Sequence, residues 1–221
     1  MKQLFISVFV FATTFLCVFT PETRAQKIYL QPCLKLCVVF MADQSGSMDS
    51  ASTDVQYLAR SMTLIPSSTG YVEVGVYSFK SYFMEWTEPT GDRKQLLDAV
   101  DSLCANPTSG GTNPNSGLDY IHTILSLRRI ADSTERQVIL IDSDYHWDEF
   151  QTGRGKIKKL LSNGVIVILA LPQKYDGCRD HYDIHEENLN SLVADGCISI
   201  RSNFRLFKEF LGKLKAIVPC G

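Results

Sequence analysis

Three stretches of this 221-residue chain are apolar at almost every position, and they limit the folds that it can adopt. Residues 34–42 read LKLCVVFMA, residues 137–142 read QVILID, and residues 165–171 read VIVILAL. A strand that faces solvent on one side alternates apolar and polar residues, whereas these runs do not alternate. Strands with two apolar faces are typical of a parallel sheet that helices cover on both sides. The three runs therefore predict an α/β domain.

Helical segments and two further strands lie between these runs. VEVGVYSF at 72–79 alternates like a strand, YFMEW at 82–86 is predicted to turn back beside it, and CISIR at 197–201 is a short strand. The helical periodicity predicts helices near 50–62, 92–104, 117–128, 147–161, 186–194 and 203–217. No internal repeat or linker divides the chain. We expect a Rossmann-like, doubly wound fold, in which helices flank a mostly parallel sheet with one short antiparallel edge strand.

The first 25 residues have the pattern of a secretory signal peptide. Lys2 precedes an uncharged apolar run of about 17 residues, which is marginal for spanning a bilayer. Ala25 provides a small residue for cleavage, which would leave 26–221 as a single domain without membrane insertion. A retained anchor is the weaker alternative. We expect a secreted, extracellular protein, or a periplasmic one if the source is a Gram-negative bacterium.

The charge of the chain bears on its possible partners, and the cysteine count bears on its disulfides. The formal net charge is −2 and there is no basic block, which argues against a nucleic-acid partner. Six of the seven cysteines follow the predicted cleavage site, and an even number favours disulfides in an exported chain. Cys178, His181 and His185 are spaced like zinc ligands, but a clear fourth ligand is missing. A Cys178–Cys197 disulfide is the preferred interpretation.

The loop after the first apolar run carries side chains that suit a hard cation. It reads Asp43-Gln44-Ser45-Gly46-Ser47. Two hydroxyls two positions apart can point to one side, and the glycine permits a tight path. Hydroxyl oxygens are neutral hard ligands for Mg²⁺, Mn²⁺ or Ca²⁺, and Asp43 can act through water or orient the hydroxyls. A serine cap on the following helix would explain the same serines without a metal.

Two later segments complete a three-part pattern. Residues 109–113 read SGGTN and present Thr112 just before a helix, and Asp142 ends the second apolar run. The carboxyl ends of parallel strands meet at one edge of the sheet, where such folds bind ligands. The order D-x-S-x-S, then G-G-T-N, then a strand-terminal aspartate resembles the von Willebrand factor A domain over residues 34–218. In that family these three loops form the metal ion-dependent adhesion site.

The resemblance implies a role for each of five residues. Ser45, Ser47 and Thr112 match the hydroxyl ligands that bind the ion directly. Asp43 and Asp142 match the carboxylates that act largely through water. Neutral hydroxyls leave the ion much of its charge and one open position, which an acidic side chain of a partner protein could fill. The implied function is a secreted adhesion or protein-binding module that uses a divalent cation, Mg²⁺ first, and has no enzymatic activity.

The third loop departs from the family pattern. The family's strand usually ends Thr-Asp-Gly, whereas here Ile141 and Ser143 flank the aspartate. We expect this change to affect the affinity for the metal more than metal binding itself. Three further acidic residues are interpreted as a solvated loop and helix start. They are Asp144, Asp148 and Glu149.

A second metal beside the first is not predicted. Beta integrins carry paired acidic residues shortly after the first motif for that purpose, whereas this chain has Ser50 and Ala51. Asp49 lies closer to the motif than that spacing requires, so we assign it to the start of the helix.

The resemblance also bears on the disulfides. Members of the family often link the two ends of the domain, which implies a Cys33–Cys220 bridge here. Cys37 and Cys104 remain and pair only by elimination. A free Cys37 thiol, packed as a small apolar group within the first strand, is the alternative.

Two other functions compete with metal-dependent adhesion. The sequence from Asp142 to Asp144 looks like the first motif of haloacid dehalogenase-type phosphatases, with a nucleophile and a general acid two residues apart. That family needs further residues for which too little chain follows Pro172, and His146 alone is more often a surface residue than a base. A serine hydrolase is weaker still, because Ser45 lacks the G-x-S-x-G elbow. The other alternative is an A-like domain with a vestigial site that acts by surface shape, although all five site residues are intact.

Overall fold

Six strands form a single sheet in the computed structural model, which describes residues 35–65, 72–172 and 184–202. Within these residues the strands are β1 (Leu36–Asp43), β2 (Val72–Phe79), β3 (Phe83–Thr90), β4 (Arg136–Asp142), β5 (Ile166–Pro172) and β6 (Ile198–Ser202). The helices are α1 (Ser52–Met62), α2 (Arg93–Ala105), α3 (Asn115–Ala131), α4 (Phe150–Ser162) and α5 (Glu186–Ala194), and a 3₁₀ helix (Gly46–Ala51) precedes α1.

The sheet has the order β3-β2-β1-β4-β5-β6, and the fold class predicted from the sequence is confirmed. All neighbouring strands are parallel except β2 and β3, which form the antiparallel edge. The chain leaves β1 for β2 on one side and later returns to β4 on the other side. The carboxyl ends of β1 and β4 therefore flank the crevice at which doubly wound sheets bind ligands.

The central strand β1 is buried at all eight positions, which explains why its sequence does not alternate. Val38 and Phe40 face the core between the sheet and helices α1 and α2. Val39 and Met41 face a second core, which α3, α4 and α5 cover. Each large apolar side chain buried in these layers contributes roughly 1.5–3 kcal/mol relative to its exposure.

The positions of the cysteines on the two faces of the sheet test one of the predicted disulfides. Cys37 lies in the α3 and α4 layer, whereas Cys104 packs against the opposite layer, so the Cys37–Cys104 pairing is wrong. Cys197 is also a free thiol, so the Cys178–Cys197 bridge is not formed in this structure. Burial raises the pKa of the Cys37 and Cys197 thiols to about 12. The other four cysteines lie outside the described residues: Cys17, Cys33, Cys178 and Cys220. The Cys33–Cys220 bridge therefore stays a prediction.

Helix boundaries follow the sequence signals closely where the structure describes them. The Asp92 carboxylate accepts hydrogen bonds from the Lys94 and Gln95 amides, as predicted for the cap of α2. Helix α5 has the predicted bounds. The predicted signal peptide and the helix predicted at 203–217 lie outside the described residues. No helix in the described part of the chain is both long and apolar enough to cross a bilayer.

Candidate metal centre

The first motif lies at the carboxyl end of β1, where the chain turns into the 3₁₀ helix. The Ser45 and Ser47 hydroxyl oxygens are 3.0 Å apart, so the two side chains point to one side as the spacing predicted. The Ser45 amide donates to Asp43 Oδ1 at 2.9 Å and closes the turn. Ser45 is buried and Ser47 is exposed, so the hydroxyl pair connects the interior to the surface.

Asp43 is a fully buried carboxylate. Burial raises its pKa to about 7, while hydrogen bonds from Ser143 and Ser45 act in the opposite direction. No lysine, arginine or histidine of the described residues forms an ion pair with it. An ionised carboxylate in such a position needs positive charge nearby. The environment of Asp43 therefore fits a bound cation.

The second motif is attached to the first by backbone hydrogen bonds. The Ser109 amide donates to the Gln44 carbonyl at 2.9 Å, and the Gly46 amide donates to the Gly110 carbonyl at 3.1 Å. Thr112 follows in the same loop and is buried. Its hydroxyl forms no hydrogen bond with the residues that the structure describes, so it is available to a ligand. The two loops thus bring three hydroxyls to one end of the sheet.

The third motif reaches the same end through β4. Asp142 is fully buried and lies beside Ala42 in the parallel register of β1 and β4, one residue from Asp43. Within the described ranges, no group of three or more histidine, cysteine, aspartate or glutamate side chains could hold a metal. A metal at this end of the sheet would therefore need the serine and threonine hydroxyls as ligands.

Ser143 is the neighbour whose importance the sequence did not reveal. Its hydroxyl donates to Asp43 Oδ2 at 2.6 Å and accepts from the Tyr145 amide and from Trp147 Nε1, both at 3.0 Å. Ile141 is the other departure from the family pattern, and its side chain packs in the core that α3 and α4 cover. In the sequence, Ser143 stood out only as a departure from the family's glycine.

The acidic residues of the third loop differ from the interpretation as a solvated segment. That interpretation is wrong for Asp144, which is buried and accepts a hydrogen bond from the His146 amide. Asp148 is exposed, but its Oδ2 accepts from the Thr112 amide at 3.0 Å and its own amide donates to the Thr112 carbonyl at 2.9 Å. Glu149 accepts from the Asn115 side chain at 3.2 Å. Asp148 and Glu149 thus connect the second and third loops.

Helix α5 holds the third loop from its other side. The Asn188 side chain donates to the Tyr145 carbonyl at 2.9 Å, and the His185 amide donates to the Asp144 carbonyl at 3.0 Å. Tyr145 has a φ of 62°, a conformation that costs a non-glycine residue on the order of 1 kcal/mol. His146 is exposed, as predicted, and its ring lies 5.3 Å from the His185 ring. The loop conformation is thus fixed by packing on both sides.

Lys80 is a buried cation beside the second motif. Only 6% of the residue is exposed, and its Nζ lies 3.4 Å from the Ser109 hydroxyl and 5.1 Å from the centre of the Tyr82 ring. None of the described carboxylates lies within ion-pair distance of it. Its backbone carbonyl accepts from the Asn113 amide, so the β2–β3 turn also supports the second loop.

Comparison with known protein families agrees with the observed fold. A sequence model described as the von Willebrand factor type A domain matches residues 38–146, a range that includes all five predicted site residues. Residues 38–146 belong to the von Willebrand factor type A domain family. No curated protein matches the chain.

Solved structures share the fold of this A domain at low sequence identity. The manganese-loaded TRAP protein of Plasmodium vivax has a TM-score of 0.63 and 15% identity, covering 84% of this chain and 74% of that one. An aerotolerance-related membrane protein of Bacteroides fragilis, solved with multiple mutations to serines, has the same TM-score and identity, covering 82% and 99%. The vWF domain of the type V pili tip protein Mfa5 from Porphyromonas gingivalis has a TM-score of 0.59 and 12% identity, covering 84% and 97%.

Proposed function

We propose that this A domain binds one divalent cation and, through it, an acidic side chain of a protein partner. The observation that carries the proposal is the pair of hydroxyls on Ser45 and Ser47, 3.0 Å apart, beside the buried Asp43 carboxylate. Thr112 is the third direct ligand. Asp43 and Asp142 act largely through water, as charged groups behind the hydroxyls.

The chemistry of the ligand set favours a hard ion. Hydroxyl, carboxylate and water oxygens suit Mg²⁺, Mn²⁺ and Ca²⁺ better than softer metals. The similarity to a protein solved in a manganese-loaded form supports a divalent ion of this kind. We assign Mg²⁺ first and keep Mn²⁺ and Ca²⁺ as alternatives. The bound ion would offer positive charge and an open coordination position to the partner.

The proposed place of action is outside the cytoplasm, where the protein would serve in adhesion or protein binding. The signal-peptide pattern of residues 1–25 supports export, and the similarity to a pilus tip domain supports a surface role. The formal charge of −2 gives no basis for a nucleic-acid partner.

Calorimetry on the metal-free domain tests the metal site. We expect Mg²⁺ and Mn²⁺ to bind with one ion per chain, and Asp43→Ala or Thr112→Val to abolish the heat of binding. Thr123→Val is the matched control for the threonine, because Thr123 lies on α3 and its hydroxyl bonds only to the Asp119 carbonyl. Undiminished binding by the Thr112 and Asp43 variants would contradict the proposed site.

A second measurement tests the link between metal and partner. A pulldown from extracellular extract, with Mg²⁺ in one arm and a chelator in the other, should recover protein only with the metal. Recovery that is equal in both arms, and unchanged by Thr112→Val, would favour a domain that acts by surface shape.

We infer that the domain has no hydrolase activity. The phosphatase alternative uses Asp142 as nucleophile and Asp144 as acid, but Asp144 is buried and its Oδ1 accepts the His146 amide. We expect no phosphatase or esterase turnover above background. Metal-dependent turnover that Asp142→Asn removes and Ser45→Ala preserves would support the enzyme instead.

A further inference from the structure

Donors and acceptors in the hydrogen bonds around Ser143 can be assigned in only one way. The Tyr145 amide and the Trp147 indole can only donate, and both point at Ser143 Oγ from 3.0 Å. A serine hydroxyl has two acceptor lone pairs and one proton. With both lone pairs engaged, its proton goes to Asp43 Oδ2 at 2.6 Å.

We infer that Ser143 is a positioning residue, which holds the Asp43 carboxylate in the orientation that the metal centre needs. Trp147 fixes the direction of that hydrogen bond. The inference rests on the proposed metal site and adds to it a residue that is not itself a ligand.

Asp43 is held at both of its oxygens by this arrangement. Oδ1 accepts from the Ser45 amide at 2.9 Å, and Oδ2 accepts from Ser143. A hydroxyl that donates to a carboxylate over such a short distance forms a strong hydrogen bond. The fully buried carboxylate is thus held in one orientation by a donor at each oxygen.

Removal of the hydroxyl would leave several buried groups without partners. With alanine at position 143, Asp43 Oδ2 loses its donor and the Trp147 indole loses its acceptor. Because buried polar atoms without partners are costly, the carboxylate is expected to turn toward other donors. It would then leave the orientation that the metal centre needs. Loss of an orienting residue around a metal typically reduces affinity by about 10- to 100-fold.

The chain contains a matched control for this bond. Trp86 Nε1 donates to the Ser78 hydroxyl at 2.8 Å, which repeats the tryptophan–serine pair of Trp147 and Ser143 in a place that does not involve Asp43. Ser78→Ala therefore removes the same kind of bond without touching the metal centre. The chain has two tryptophans, so both indole signals can be followed in one spectrum.

The first test uses the metal-free domain and nuclear magnetic resonance of the two indole N–H groups. Ser143→Ala should shift the Trp147 signal and leave Trp86 in place, and Ser78→Ala should do the reverse. Asp43→Ala should also shift Trp147, because Asp43, Ser143 and Trp147 form one continuous chain of hydrogen bonds. The inference would be overturned if neither Ser143→Ala nor Asp43→Ala shifted the Trp147 signal.

The second test measures Mg²⁺ affinity by calorimetry. We expect Ser143→Ala to weaken binding at least about 10-fold, Ser143→Thr to restore it, and Ser78→Ala to leave it unchanged. Equal affinity of Ser143→Ala and the natural domain would overturn the positioning role while leaving the metal site intact. If the natural domain binds no Mg²⁺, the proposed function fails, and the indole shifts still decide whether Ser143 holds Asp43.

Discussion

The ammonium group of Lys80 has little nearby to compensate its burial. It faces one hydroxyl at 3.4 Å and the ring of Tyr82, and none of the described carboxylates pairs with it. A cation over an aromatic ring gains about 0.5–2 kcal/mol, whereas a buried charge without a counter-ion costs several. The charge of Lys80 is therefore expected to reduce the stability of the domain, while its carbon chain fills space.

This balance predicts the effect of Lys80→Met on the metal-free domain. Methionine keeps most of the volume and removes the charge, so the free energy of unfolding should stay equal or rise by about 1 kcal/mol. Urea denaturation provides the measurement. Lys80→Ala is the control for volume and should destabilise, because it leaves a cavity. A loss of more than about 1 kcal/mol in the methionine variant would show that the ammonium is needed.

The free thiols give a second prediction at this scale. Cys37 and Cys197 are buried, and their pKa values are raised to about 12, so neither forms a reactive thiolate near neutral pH. Brief treatment of the native domain with iodoacetamide, followed by peptide mass spectrometry, should leave both unmodified. Cys104 is partly exposed and should react first. A disulfide-linked peptide that contains Cys37 would contradict the separation of the two sheet faces.

Residues that share a short motif could be identified from the sequence, whereas distant partners could not. Asp43, Ser45 and Ser47 lie within five positions, so their grouping is a property of local geometry. The bond between Ser143 and Asp43 joins residues 100 positions apart, and it depends on the register of β1 and β4. No local pattern marks such a contact in advance.

Gly117 in α3 and Gly155, one of two glycines in α4, occupy opposite environments. A Cβ on Gly117 would lie 2.5 Å from the Phe83 ring and 2.8 Å from Met41 Cε, because α3 packs closely on the sheet there. A Cβ on Gly155 would meet nothing within 4 Å. The first glycine is therefore required by packing, and the second only adds backbone freedom to the unfolded chain.

The matched pair Gly117→Ala and Gly155→Ala tests this difference between the elements. We expect the first to destabilise by about 1–3 kcal/mol through overpacking. The second should stabilise by about 0.5–1 kcal/mol, as alanine usually does within a helix. Thermal unfolding of both variants and of the natural domain shows whether each substitution stabilises or destabilises the domain. Destabilisation of similar size in both would mean that helix propensity, and not contact with the sheet, dominates at these positions.

The burial of a strand determined how accurately its bounds could be predicted from the sequence. The inner strands β1, β4 and β5 were located within one or two residues, because their apolar faces are both covered. The edge strand β3 extends to Thr90, well past the predicted end at 86. Its polar residues and Pro89 give no periodic signal, since an edge strand pairs on one side only.

The whole domain has a second polar network at the end opposite the candidate metal centre. Arg128 on α3 forms ion pairs with Glu135 and with Glu73 on β2. The Glu135 side chain is 3% exposed, and its hydrogen bond is the main reason that the pKa of Arg128 is raised. Gln137 also donates to Glu135 and to the Leu125 carbonyl. The network joins α3, β2 and β4 where the strands begin.

Glu135→Ala should therefore destabilise the domain by about 2–4 kcal/mol, because it leaves Arg128 without its main partner. Asp101→Ala is the control, since the Arg60–Asp101 pair is more than half exposed on both sides and is worth about 0.5 kcal/mol or less. Urea denaturation at low and at high salt distinguishes the contributions of the two ion pairs to the free energy of unfolding. Only the contribution of the exposed Arg60–Asp101 pair should depend strongly on salt. An equal and small effect of both substitutions would show that the buried network adds nothing to stability.

The central position of β1 has a consequence for how the chain is made. Its two neighbours are β2 and β4, and β4 follows roughly 100 residues later, which takes about 5–20 seconds at ordinary rates of synthesis. During that interval one edge of β1 has no partner strand, and helices α4 and α5, which help to cover its second face, have not yet been made. An open strand edge can pair with other chains, so we expect the nascent chain to be most prone to aggregation in the interval before β4 is made.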